Sequence, residues 1–157
     1  MPAENAQEVT RVLGVCRAIE LAMAGLYDAL AEIHAHLPAI ARLWRKTARE
    51  EDNHAAQFAL LLDGMREAVL ETSVDVSALE SVRQAVENTV EEYRLRAPSV
   101  REALVAAIDF EEAMDRLHAH QALTFVDHRC RRMFAAMMAA DSGHVAKLRI
   151  ALRQLRG

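Results

Sequence analysis

Glu51 and His54 stand three residues apart in AREEDNHAAQF, residues 48–58, and fall in register with Trp44, Thr47, Phe58, Leu61 and Met65. That alternation of threes and fours marks one face of a helix turned toward a partner. An acid at i and a His at i+3 on such a face reach one metal ion together, the acid through oxygen and the His through a ring nitrogen. With 23 acids and 7 histidines, chance supplies about one acid-x-x-His pair. Three occur: Glu51 with His54, Asp115 with His118, and Asp141 with His144.

Two of these pairs occupy matching places in an internal repeat. IELAMAGLY at 19–27 against FEEAMDRLH at 110–118 aligns Glu20 with Glu111 and Tyr27 with His118. AREEDNHAAQF against MAADSGHVAKL aligns Glu51 with Asp141 and His54 with His144, at nearly the same offset. A duplicated helix pair builds a pseudo-symmetric site between its copies. The di-iron carboxylate arrangement takes a Glu from each of two helices and a Glu-x-x-His pair from each of the other two. Here that set is Glu20, Glu51, His54, Glu111, Asp141 and His144, with Glu112 as the neighbouring alternative to Glu111.

Four carboxylates gathered in a low-dielectric interior repel one another and take up protons unless cations compensate them. Two iron ions supply that charge, and carboxylate with imidazole suits iron or manganese, with zinc able to take the same places. Tyr27 and His118 are the candidate catalytic side chains. Tyr27 serves either as packing or as a hydrogen-bond donor to a metal-bridging group, and His118 as ligand, proton donor or a support orienting a carboxylate.

The elements that must position these residues are helical. Alanine, leucine, glutamate and arginine abound, against five glycines and three prolines, so propensity favours helix throughout. The first pattern runs from about Glu8 to His34 and carries Cys16, Glu20, Met23, Tyr27 and Leu30; Pro38 closes it. A second restarts after Pro38 and continues to about Glu71. Ser77 with Glu80 makes a capping box for a shorter crossover helix to about Arg96, and Ser99 with Glu102 opens a long helix to about Val126. DHRCRR is read as a turn before a last helix, Arg131 to Leu155, with Phe134, Met137, Asp141, His144, Leu148, Leu152 and Leu155 inward. The expectation is all-α: a single domain over residues 1–157, four long helices in two pairs with a crossover helix between the pairs.

A formal net charge of −4 and a pI near 6.0 argue against nucleic acid as a partner. No stretch is apolar for long enough to span a membrane and the first dozen residues lack a signal-peptide pattern, so a soluble, cytoplasmic protein is expected. Cys16 reads as buried packing and Cys130 as a thiol at a loop end. His34, His36, His120 and His128 read as surface residues.

The order Glu, Glu-x-x-His, Glu, acid-x-x-His across a bundle with a crossover resembles the rubrerythrin branch of the ferritin-like superfamily, over essentially the whole chain. The spacing from Glu20 to Tyr27 in ELAMAGLY matches too; in that branch a first-helix Tyr lies close to the metals. The resemblance implies a ferritin-like bundle whose di-iron site reduces peroxide or dioxygen, or oxidises ferrous iron, in a homodimer or larger homo-oligomer. Three features depart from the pattern. The fourth-helix acid is the shorter Asp141, followed by Ser142 and Gly143; Ile108 and Met114 flank Glu111 where an extra switching carboxylate would sit; and two cysteines cannot form a rubredoxin-like four-thiolate iron centre. A separate electron donor protein is therefore expected. The competing readings are an iron-binding module without turnover and a degenerate bundle used for oligomerisation.

Overall fold

Helix-favouring composition broken at a few punctuating residues gives five helices among the described residues. The computed structural model describes residues 3–64, 69–117 and 123–155, and the side chains of 5–63, 72–117, 123–136 and 143–155. In chain order these are α1 (Ala3–Ile33), α2 (Pro38–Gly64), β1 (Val69–Thr72), α3 (Val76–Leu95), α4 (Val100–Leu117), β2 (Leu123–Phe125) and α5 (His128–Gln154). Helix α1 packs against both α2 and α3, and α4 against α5. The result is an all-α ferritin-like bundle of two helix pairs joined through the crossover α3.

The ends show which local chemistry governs. Proline at the first position of α2 suits a place where its missing N–H is not needed. At α4 the capping box forms in full: Ser99 N–H donates to Glu102 Oε2 at 2.8 Å, and Glu102 N–H to Ser99 Oγ at 3.2 Å. At α3 the expected Ser77 box does not form. Asp75 caps instead, accepting from Ser77 N–H at 2.9 Å, while Glu80 pairs with Arg83. Asp127 likewise accepts from Arg129 N–H, so HRCRR is the first turn of α5 and Cys130 is buried inside it.

Two further boundaries differ from the sequence expectation. The ends expected for the second helix, to about Glu71, and for the fourth, to about Val126, are extended instead: an antiparallel ladder pairs Val69 with Phe125, Glu71 with Thr124 and Thr72 with Leu123, irregular between Val69 and Glu71. VLETSVDV and LTFV are rich in β-branched and aromatic residues, which favour extended backbone. Apolar spacing does not separate so short a strand from one more helical turn.

The core follows the stripes. Val9, Leu13, Cys16, Ile19, Met23 and Leu30 of α1 meet Trp44, Phe58 and Leu61 of α2, Leu79 and Val86 of α3, Leu104 and Ala107 of α4, and Phe134 and Leu148 of α5. Phe134 meets Phe58 edge-on and lies 4.9 Å from Phe125 between centroids, which seats the ladder against the bundle. Leu155, read as inward, is exposed. Among the described residues, no helix is long and apolar enough to cross a membrane.

Candidate metal centre

Five of the six sequence-selected acids and histidines converge inside the bundle. Glu20 comes from α1, Glu51 and His54 from α2, Glu111 from α4 and His144 from α5, and each is at most 8% exposed. Such burial of charged groups is rare without a partner. Each lies on the inward stripe of its helix, and for α2 the i, i+3 spacing turns Glu51 and His54 onto the same interior point.

The five form two donor groups that share one residue. Glu20, Glu51 and His54 bring a ligand atom each within 4.8 Å of one another, as do Glu51, Glu111 and His144. The oxygens of Glu51 divide between them. Oε2 lies 3.2 Å from His54 Nδ1, whose other near acid is Glu20 Oε2 at 3.5 Å; Oε1 lies 2.9 Å from His144 Nδ1, which is 3.8 Å from Glu111 Oε1. The two imidazoles face each other at 5.7 Å between centroids. One carboxylate thus offers an oxygen to each of the two donor groups.

The donor set fits a pair of divalent cations. Glu51 Oε1 is buried 2.9 Å from His144 Nδ1, so a carboxylate oxygen and a ring nitrogen meet at one interior point. Burial pushes the Glu51 carboxyl up, but its interactions with His144, His54 and Glu20 outweigh this and hold it well below the usual carboxylate range. It is thus poised as an anion, the form a metal takes.

Tyr27 is fully buried and donates its hydroxyl to Glu111 Oε1 at 2.5 Å. Burial first, then the Glu111 and Glu51 charges, push its phenol well above 10, so it acts as a donor. One turn before Glu20 on the same face, the Cys16 thiol is pushed up to about 12 by burial and then by Glu20, which makes it an inert packing group. The choice between Glu111 and Glu112 is decided by direction: Glu111 faces inward and Glu112 pairs with Arg149. Asp141 falls within α5, one turn before His144, but its side chain lies outside the described residues, and so does the whole of His118.

Sequence reasoning passed over Glu50. Its Oε2 approaches His144 Nε2 at 2.6 Å, and its Oε1 lies 3.5 Å from Lys147 Nζ and 4.0 Å from Lys46 Nζ. His144 thus has Glu51 at one nitrogen and Glu50 at the other. The signal was present as two adjacent acids before Asp52, Asn53 and His54, but Glu50 is off the α2 stripe, and only the position of α5 reveals what it reaches. His34, expected on the surface, is 2% exposed and hydrogen-bonded to Trp44 and to the Pro98 carbonyl.

The rubrerythrin family model matches residues 12–152. Comparison with curated proteins and with solved structures returned no significant match.

Proposed function

The chain belongs to the rubrerythrin family, and from that premise we propose that it is a di-iron oxidoreductase that reduces hydrogen peroxide, with dioxygen reduction and ferrous-iron oxidation as related activities of the same site. The observation that carries this reading is the division of the Glu51 oxygens between two buried donor groups.

In this reading Glu51 would contribute to holding both irons. His54 and Glu20 hold one, His144 and Glu111 the other, and Asp141 keeps the place the repeat gives it as the fourth-helix acid. When bound, a ferrous pair supplies the two electrons that peroxide reduction takes. The residues around it do the rest. Tyr27 fixes the Glu111 carboxylate through its short hydrogen bond and offers a proton where an oxygen leaving group would need one. Glu50, whose carboxylate stands 2.6 Å behind His144 Nε2, favours the ring tautomer that leaves Nδ1 to face Glu51. The five acids and histidines are buried with the apolar core, and a low-dielectric interior strengthens each electrostatic contact inside. The working environment is taken to be the cytoplasm, with a separate donor protein returning electrons and a homo-oligomer as the assembly.

The test is metal content after expression with added iron, followed by peroxide titration of the ferrous protein. Two irons per chain, and two irons oxidised per peroxide consumed, are expected. Stoichiometric iron without peroxide consumption would make the chain an iron-holding module, and a chain that takes up no metal would leave a bundle with a structural role.

A further inference from the structure

Helix α1 turns one face to the bundle and the other to solvent. Glu20 and Tyr27 point inward with the core. On the opposite side, helical spacing brings Gly14, Ala18, Leu21, Ala22, Gly25 and Ala29 into one outward line. Leu21 is 46% exposed on it. Between this line and α3 runs an open groove of about 400 Å³, lined by Ala18, Leu21, Ala22 and Gly25 and, from α3, by residues that include Val90 and Glu91.

Two glycines on the line have no use within a single chain. Glycine in a helix interior is destabilising, because it orders more backbone on folding and packs no side chain. A Cβ built at Gly14 or Gly25 meets nothing within 4 Å, so the bundle does not exclude a larger residue at either place. A second helix backbone passing close by would exclude one. The charges on the same side say which helix that is. Arg11 and Arg17 precede the middle of the line, Asp28 and Glu32 follow it, and all four are exposed. Among the described residues none of them belongs to an ion pair, whereas Arg83, Arg94 and Arg149 each meet an acid of their own chain.

We propose that this face of α1 is the contact between two copies of the chain, paired antiparallel about a two-fold axis that passes midway between Leu21 and Ala22. That register sets Gly14 against Ala29 of the other copy and Ala18 against its Gly25. Each Leu21 meets the other copy's Ala22, in the room that Ala18 and Gly25 leave. Arg11 then faces Glu32 across the contact, and Arg17 comes beside Asp28. Two-fold symmetry makes every one of these contacts twice. A parallel two-fold pairing would instead put Arg11 on Arg11 and Glu32 on Glu32, and like charges so placed repel. Charge therefore selects the antiparallel arrangement and fixes its register, while Leu21 and the close backbones supply the packing. The interface gives the homo-oligomer taken above its contact surface. It uses no metal-holding side chain and does not rest on the di-iron reading.

The test is sedimentation of the full chain over a concentration series, with iron content measured on the same samples. Wild type should sediment as a dimer at micromolar concentration. Gly25→Leu, which has open space around it in the single chain, should keep the wild-type helix content by circular dichroism and weaken the dimer about a hundredfold or more. Arg11→Glu and Glu32→Arg should each weaken it about tenfold, and the variant carrying both should return to within about threefold of wild type. Arg11 and Glu32 lie about 30 Å apart along one helix, so that recovery cannot arise within one chain. A wild-type chain still monomeric at about 100 μM, a Gly25→Leu dimer of wild-type affinity, or a double charge variant that does not recover overturns the interface. Iron content is read independently: loss of the dimer with iron retained leaves the metal centre standing, and a dimer without iron leaves the interface standing.

Discussion

Replacing Glu50 by Gln keeps the shape of the side chain and an oxygen able to accept from His144, but removes the charge. A contact with an ionised partner is roughly twice as strong as a neutral one, and the Glu50 carboxylate stands 2.6 Å from His144 Nε2. Losing the carboxylate behind a metal-binding His typically weakens metal affinity about 10–100-fold, or about 1.4–2.7 kcal/mol. The Glu50 side chain is 27% exposed and shares its other oxygen with Lys147, so solvent screening places Glu50→Gln at the lower end, about tenfold, with Glu50→Ala nearer the upper. The assay is competition for ferrous iron or zinc against a chelator of known affinity, with stoichiometry measured alongside. Both variants should still bind the wild-type number of ions. The slowly exchanging ring N–H resonance of His144 should be lost in Glu50→Ala, a change that mere loss of packing would not produce. Affinities within about threefold of wild type for both variants would refute the argument that Glu50 orients His144.

Other consequences are equally direct. Because Glu51 offers an oxygen to each donor group, Glu51→Ala should abolish metal at both positions in elemental analysis, whereas Glu20→Ala should spare the position built from Glu111 and His144; full occupancy in Glu51→Ala would remove the central assignment. Tyr27 has a folded pKa raised above 10, so the stability linked to it is complete below pH 10 and falls as pH rises toward the folded value, by about 1.4 kcal/mol per pH unit. Urea melts near pH 9 and pH 11 should therefore show a smaller alkaline loss for Tyr27→Phe than for wild type. A simple, non-cooperative phenolate titration of Tyr27 in folded protein would contradict this. Ser99→Ala should cost about 1 kcal/mol in thermal or urea unfolding, since its side chain caps α4, while Ser77→Ala, where Asp75 holds the cap, should change stability by less than about 0.5 kcal/mol.

Residue spacing was informative wherever a helix stripe alone decides direction. Glu20, Glu51, His54, Glu111 and His144 could be selected because burial on a helix repeats with the turn, and a polar residue in register with Trp44, Phe58 and Leu61 must face inward with them. The Ser99 and Glu102 cap was legible for a similar reason, as both partners lie within one turn of chain. Less was legible where several local solutions compete: Ser77 and Asp75 can each cap α3, and the stretches after Gly64 and Leu117 suit a helical turn or a strand until another strand is brought alongside.

The helical class and the inward direction of Glu20, Glu51, His54, Glu111 and His144 were thus determined by the sequence itself, because they depend on short-range geometry. Only tertiary structure could decide that the two Glu51 oxygens serve different donor groups, that Glu50 reaches across to His144, and that Tyr27 donates to Glu111. Those relations join α1, α2, α4 and α5, and the distances between helices are set by how whole faces pack rather than by any spacing along the chain.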